Sequence, residues 1–478
     1  MEKKTHIAVI PSAGLTHLVP LIEFSKRLVQ LFPDFHVNCI IPTLGSPSSS
    51  SIAYLQTLPS NIHSIFLPPV HEKDIIAHQN DQPVHIAVQI QRVVTLSLPY
   101  IRQELESLSS RDGLSALIAD PFALEALEIA SELNILSYVY CPFSAMASSL
   151  YLRAPMLEKT ISVEFRDLQD PIEMPGCVPI QGRDLIDSLQ DRSNIVYEQF
   201  LERCRRISHA DGVLVNSFSE LETETIKALQ EEFKGKPKIY PVGPILQSGL
   251  CSEQDINGSD CLKWLNNQNA RSVLYVSFGS GGTVSQDQLN ELAFGLELSS
   301  KKFLWVVRAP SKIASATYLG FENRNPLDFL PEGFLERIKG KGLVIPSWAP
   351  QIQILSHKAI GGFLSHCGWN SILESIQKGV PLIAFPLFGE QRMNAVLVTN
   401  GLKVALRPQV NENGMVKRGE IAKLIESLME GEEGKEIRAR MKDLNDATAN
   451  ALSEEFGSSA KILCQMALKW KNFGGIEK

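Results

Sequence analysis

The sequence predicts an α/β protein made of two similar halves, each built on a parallel sheet. Three observations carry this reading. "HIAVIP", "LVPLIEFSKRLVQLF" and "FHVNCIIP" follow one another near the start as strand, amphipathic helix and strand, a βαβ opening that implies parallel pairing. Each strand is a short apolar run that stops at a polar or turn residue. The same alternation then restarts at residue 272, after a stretch rich in Pro, Gly and Ser.

In the first half, "LSALIAD" (114–120), "ILSYVYCP" (135–142) and "DGVLVNS" (211–217) read as further strands, with helical stretches such as "FALEALEIASEL" between them. "SPSSSS" (46–51) has the composition of a flexible loop, and residues 240–260 that of a linker. In the second half, "SVLYVSFGS" is a strand, "QDQLNELAFGLELS" a helix and "KFLWVVR" a strand. Residues 309–334 lack periodicity, the mark of a functional or disordered loop. "GLVIPSW", "IGGFLSH" and "PLIAFP" complete the set. In open α/β sheets ligands bind beyond the carboxyl ends of the strands. Two facing halves would put the site in the cleft between them.

The chain has 478 residues, 44% hydrophobic and 21% charged, with a net charge of -7. That composition suits a soluble globular protein of two or three domains. The negative charge argues against a nucleic-acid partner, because phosphate binding needs a basic footprint. No stretch reaches the ~18 uninterrupted apolar residues of a membrane span. The eight cysteines are scattered without a CxxC pair, as for reduced thiols in a cytoplasmic protein. No D-x-D, HExxH or Cys/His cluster marks a metal site.

Two strand ends in the second half carry chemistry. "SFGSGG" (277–282) lets backbone amides turn toward an anion. It lacks the Lys-Ser/Thr of a P-loop, and a plain tight turn fits it as well. "HCGWNS" (366–371) opens the helix "NSILESIQKG" at Asn370 or Ser371. The first amides and positive dipole end of that helix suit an anion. Glu374 lies one turn further on the same face, where a carboxylate can accept from the vicinal hydroxyls of a ribose. Ser371 and Glu374 equally fit a capping box that needs no ligand. "WAPQ" (348–351) tips the balance: Trp348 offers a face for a base to stack on, and Gln351 offers donor and acceptor edges. Together these residues describe a site for a nucleoside diphosphate.

The 44 residues from Trp348 to Gln391 resemble the signature box of plant family 1 UDP-dependent glycosyltransferases. "YPVGPI", "CLKWLNNQ", "SVLYVSFGSGGT", "FLPEGFLER" and "QRMNAV" extend the resemblance over the whole chain, toward the branch of hydroquinone, phenylpropanoid and flavonoid glucosyltransferases. The family implies a GT-B fold of two Rossmann-like domains facing across a cleft. The implied divisions are an acceptor-binding domain (1–245), a UDP-sugar-binding domain (246–455) and a C-terminal helix (456–478) packing back on the first domain. The resemblance also implies that Trp348 stacks on uracil, that Ala349 and Gln351 meet the uridine, and that Glu374 holds the ribose hydroxyls. It assigns the diphosphate to Ser277, Ser280, His366, Gly368, Asn370 and Ser371. The sugar falls to Glu390 and Gln391 with Trp369 beside them, and the terminal Gln implies glucose. Phe385, Phe388–Gly389 and Thr16 depart from the usual pattern. They bear on acceptor shape and sugar contacts, not on the nucleotide residues.

Transfer to a hydroxyl needs a base for the acceptor proton and stabilisation of the departing diphosphate. His17 stands near the start of the first helix, whose dipole favours neutral imidazole. Asp120 ends the strand "SALIAD" at the same sheet edge. It could orient His17 as in a triad, or cap a helix whose first residue is Pro121. The family pairs a His with an Asp at these positions, which favours the dyad. Phe122, Phe143, Ile186 and Phe388 are candidate acceptor walls. The resulting expectation is an inverting, metal-independent UDP-glucose O-glucosyltransferase of small phenols, monomeric and without a permanent cofactor. A nicotinamide dehydrogenase should carry GxGxxG after a strand, which "SFGSGG" does not match. A phosphorylase should carry a marked pyridoxal lysine. A non-enzymatic UDP-sugar-binding protein would not need His17 with Asp120, and N- or S-glucosylation of aromatic acceptors stays open.

Overall fold

Strand β1 (Thr5–Ile10) is buried along nearly its whole length, as are β2 (Phe35–Ile41), β4 (Leu114–Ala119), β5 (Leu136–Cys141) and β6 (Gly212–Val215). Runs of Val, Ile, Leu and Ala suit strands covered on both faces. With β3 (Ile62–Phe66) and β7 (Lys238–Pro241) they form a seven-stranded sheet of order β3-β2-β1-β4-β5-β6-β7. Every pairing is parallel. The computed structural model describes residues 4–47, 49–76, 84–247, 260–316, 324–455 and 457–473.

The second sheet repeats the design. It contains β8 (Val273–Ser277), β9 (Lys302–Val307), β10 (Gly342–Pro346), β11 (Ile360–Ser365), β12 (Leu382–Ala384) and β13 (Ala405–Leu406), in the order β10-β9-β8-β11-β12-β13. These strands too are all parallel. In each sheet the third strand in sequence lies at one edge, the chain winds back to the first, and the fourth pairs on the first strand's other side. This is the Rossmann-like order, and its topological switch points fall between β1 and β4 and between β8 and β11.

The chain divides into two compact units. The first comprises Met1–Cys177, Ser188–Ser248 and Asn450–Lys478; the second comprises Val178–Asp187 and Gly249–Ala449. The final helix, Ser458–Phe473, belongs to the first unit, where Leu463, Met466, Ala467 and Trp470 join the sheet core. Trp470 is fully buried with its ring 5.4 Å from Tyr138 and 6.1 Å from Phe35. Residues 178–187, expected in the first domain, pack in the second unit. Asp184 pairs with Arg407 at 2.6 Å, and Asp187 binds the N–H of Gly389 at 2.6 Å.

Three local expectations change. Within "SPSSSS", Ser49 opens a helix that runs to Gln56. The helix read at 122–133 covers only Ala126–Glu132, with a turn at 121–125. The stretch read as a linker begins inside β7, and Tyr240, Val242 and Ile245 are core residues. Residues 248–259 of that stretch, and 317–323 of the long loop at 309–334, lie outside the described residues. No described helix is long and apolar enough to cross a membrane.

Candidate active site

At the first switch point β1 and β4 end level, with Ile10 opposite Ala119. Asp120 extends the ladder by one bond, its N–H donating to the Ile10 carbonyl at 2.9 Å. The helix Leu15–Leu31 starts after Gly14, whose φ of 110° is a conformation that L side chains rarely adopt. His17 is therefore the third residue of the helix. Its Nδ1 lies 2.7 Å from Asp120 Oδ2. The carboxylate is fully buried, and its other oxygen accepts the Phe122 N–H at 2.9 Å. A carboxylate can only accept, so Nδ1 carries the proton and Nε2 is left as the basic nitrogen. Asp120 thus bonds His17 through one oxygen and closes a turn through the other, where a helix cap was the alternative reading.

Phe122 meets the His17 ring edge-on at 5.5 Å and 88°. The guanidinium of Arg203 lies over the Phe122 ring, 4.5 Å from its centroid. Arg203 is only 4% exposed and was missed by sequence reasoning; nothing in the helix Ile195–Ile207 marks it from its neighbours. Phe143 stacks on Tyr151 at 4.7 Å and is buried. Ile186 and Phe388 both belong to the second unit, so the four candidate acceptor residues divide between the units.

At the second switch point β8 and β11 also end level, Ser277 opposite Ser365. Ser277 Oγ accepts the Gly279 N–H at 3.3 Å, while Ser280 is exposed. The His366 ring sits between Gly279 and Gly368, where an added Cβ would come within 2.6 Å and 2.4 Å of it. Neither position has room for a side chain. Burial pushes the His366 pKa down to about 4, so in the free protein this ring is neutral near pH 7. Its Nδ1, like Asn370 Oδ1, is buried without a hydrogen-bond partner.

The helix begins at Trp369, one residue earlier than expected, with Gly368 as N-cap and no side chain capping it. Ser371 is then its third residue, and the capping box does not form. Glu374 instead accepts from Gln351 Nε2 at 2.8 Å, and the same nitrogen lies 2.9 Å from Ser371 Oγ. Tyr275 donates to Gln351 Oε1 at 3.4 Å. Burial raises the Glu374 pKa to about 7, against the opposing pull of the Gln351 bond. Trp348 is 61% exposed and presents its indole; Trp369 is 2% exposed. Ala349 is buried beside Gln351.

Gln391 is buried, and its Oε1 accepts the N–H groups of Leu387 and Phe388 at 2.9 and 3.1 Å. Those two donors fix the amide orientation and leave Nε2 as its donor group. Glu390 precedes the helix Gln391–Val396. Supporting residues were missed. Asn394 donates to the carbonyl of Cys367, whose φ is 63°, and Arg308 donates to the Gly279 carbonyl at 3.2 Å. Asn394 was visible only as part of "QRMNAV". Among the described residues no group of three or more His, Cys, Asp or Glu could hold a metal ion.

The family described as UDP-glucoronosyl and UDP-glucosyl transferase matches residues 203–446. Hydroquinone glucosyltransferase of Rauvolfia serpentina is 49% identical over 474 residues, 99% of each chain. The structure of Phytolacca americana UGT2 complexed with UDP-2fluoro-glucose and pterostilbene is 46% identical, with a TM-score of 0.89. It covers 98% of this chain and 100% of that one. A Polygonum tinctorium UDP-glucosyltransferase capable of glucosylating indoxyl, in complex with 3,4-dichloroaniline, is also 46% identical, with a TM-score of 0.89. Coverage there is 98% of this chain and 99% of that one. Full-length identity, a shared two-sheet fold and a matching family profile lead to one conclusion: the chain belongs to the UDP-glucoronosyl and UDP-glucosyl transferase family and is a UDP-glycosyltransferase.

Proposed function

We propose that the protein is an inverting O-glucosyltransferase that moves glucose from UDP-glucose to small phenols, with His17 as base and Asp120 as its orienting partner. The observation that carries this reading is the 2.7 Å bond between His17 Nδ1 and a fully buried Asp120 carboxylate at a switch point. A protein that only binds UDP-sugars has no use for that pair. The relatives add the acceptor class: one is a hydroquinone glucosyltransferase, and another was solved with pterostilbene.

In this mechanism Trp348 stacks on the uracil and the Glu374 carboxylate accepts from the ribose hydroxyls. His366, the Gly279 loop and the helix start at Trp369 receive the diphosphate. The acceptor oxygen attacks C1 of glucose as His17 Nε2 takes its proton. The C1–O bond to UDP breaks, and its electron pair leaves on the β-phosphate oxygen. Attack opposite the leaving group converts an α-linked donor into a β-glucoside. Asp120 stabilises the imidazolium that forms. The negative charge on the leaving oxygen meets aligned donors that need no reorganisation. The same reading keeps the chain in the cytoplasm, where its described cysteines, none of them in a disulfide, would stay reduced.

The test is an acceptor screen with UDP-glucose, read by mass and by the anomeric proton coupling of the product. A β-glucoside of a phenol supports the reading; an α-glucoside, or binding without turnover, rejects it. Arylamines belong in the same screen, because one structural neighbour was solved with 3,4-dichloroaniline.

A further inference from the structure

We propose that Asp187 is a positioning residue that sets sugar selectivity by holding the loop Leu387–Gln391 in place. This rests on the reading of Gln391 as the residue that meets the sugar hydroxyls. Gln391 closes the loop from inside, its Oε1 bound to the N–H groups of Leu387 and Phe388. The direction of its remaining Nε2 therefore depends on the path of the loop through Gly389, which has φ 66°. Asp187 binds Gly389 from both sides. Its Oδ2 accepts the Gly389 N–H at 2.6 Å, and its own N–H donates to the Gly389 carbonyl at 3.4 Å. Its second oxygen, Oδ1, pairs with the guanidinium of Arg392. One carboxylate thus grips residues on both sides of Glu390 and Gln391.

The segment that carries Asp187 is itself tied down. Arg392 also donates to the Arg183 carbonyl at 3.4 Å, and Asp184 pairs with Arg407 at 2.6 Å. None of these bonds involves Trp348, Glu374 or His366. Asp187 therefore acts on the sugar end of the donor and leaves the nucleotide end alone. Discrimination between sugars differing at one hydroxyl depends on where a donor group points, so a loosened loop loses selectivity before it loses UDP binding.

The experiment measures kcat and KM for UDP-glucose and UDP-galactose, and the inhibition constant of UDP. It compares wild type with Asp187→Ala, Asp187→Asn, Arg392→Met and Gln391→Ala, each checked by thermal melting. Asp187→Ala should lower kcat/KM for UDP-glucose about tenfold, the loss expected for a bond to a charged group, and narrow the glucose-to-galactose ratio. UDP inhibition should stay within about twofold, since distant sites act independently. Asp187→Asn should recover part of the loss, because its Oδ1 still accepts from Gly389. Unchanged selectivity in the Asp187 and Arg392 variants, or UDP inhibition weakening in step with KM, overturns the proposal. If Gln391→Ala also leaves selectivity unchanged, the sugar role of Gln391 falls and takes this inference with it. If Gln391→Ala alters selectivity while the Asp187 variants do not, only the role of Asp187 fails. Should Asp187→Ala not fold, Asp187→Asn and Arg392→Met make the same comparison.

Discussion

Gln351 and Glu374 are joined by a 2.8 Å hydrogen bond from the Gln351 amide to a carboxylate that is 7% exposed. The bond orients the carboxylate but does not offset its burial, and its pKa rises to about 7. Hydroxyls of a bound ribose would donate to the ionised form, so donor binding and deprotonation of Glu374 are linked.

UDP-glucose should therefore bind more weakly as pH falls through 7. One unit below that pKa the affinity should be about tenfold below its alkaline plateau. Calorimetry in buffers of different ionisation enthalpy should show proton release on binding at pH 7, and Glu374→Gln should abolish it. Binding that is flat between pH 6 and 8 in wild type would remove Glu374 from the donor site.

The same group should limit stability. An acid whose folded pKa lies above its unfolded value binds its proton better in the folded state. Glu374 therefore destabilises the free protein above pH 7, and the cost fades as pH falls toward its unfolded value. Glu374→Gln should raise the melting temperature at pH 8, by up to about 3 kcal/mol of stability, and change it little at pH 5. A variant less stable than wild type at pH 8 contradicts this.

The opposite sign applies to the histidines near the start of the first sheet. His6 stacks on His36 at 5.1 Å, and His36 on His63 at 6.2 Å. Burial lowers the pKa of both His6 and His36, helped by the Lys4 charge, while Asp112 pulls the other way. The unfolded chain then binds more protons, so the stability from these two groups is complete above about 6.5 and is lost as pH falls below it. Between pH 6.5 and 5 this loss runs against the gain from Glu374, so on acidification the double variant His6→Gln, His36→Gln should show a melting temperature that rises more, or falls less, than that of wild type.

The strand ends were legible because chemistry interrupts hydrophobicity there: Asp120 after "SALIA", Ser277 after "VLYV", His366 after "GGFLS". The second unit's hold on residues 178–187 was not. It rests on Asp184 with Arg407 and Asp187 with Arg392, single charged residues that carry no periodic signal. β7 was hidden by Pro241, Gly243 and Pro244, which read as linker although Val242 between them is fully buried. Glu374 could be read either as cap or as ligand, because sequence spacing left the helix start open between Asn370 and Ser371, and the structure starts it at Trp369.

The C-terminal helix should be indispensable to the first unit. Trp470 is fully buried against Tyr138 and Phe35, so Trp470→Ala should cost about 3–5 kcal/mol. Chemical denaturation should show the loss. A cost below about 1 kcal/mol, the scale of an ordinary surface substitution, would mean that the helix only rests on the sheet.

The base assignment predicts a dependence on acceptor acidity. If His17 Nε2 takes the proton, His17→Ala should lose roughly 10²–10⁴ in kcat, the range for general base catalysis. UDP inhibition should survive, because the residues proposed to hold the nucleotide all lie in the second unit. Asp120→Asn should also lose activity: an Asn can still accept from His17 Nδ1–H, but without the charge that stabilises imidazolium. A strongly acidified phenol such as trichlorophenol is already partly ionised near neutral pH and needs less help than hydroquinone. The fold-loss in kcat/KM for His17→Ala should therefore be much smaller for trichlorophenol. Raising the pH should narrow the gap for hydroquinone, as more of it ionises without the base. An equal loss for both acceptors at every pH would mean that His17 packs or positions the acceptor instead of removing its proton. The 2.7 Å bond to Asp120 would then hold a wall of the pocket in place.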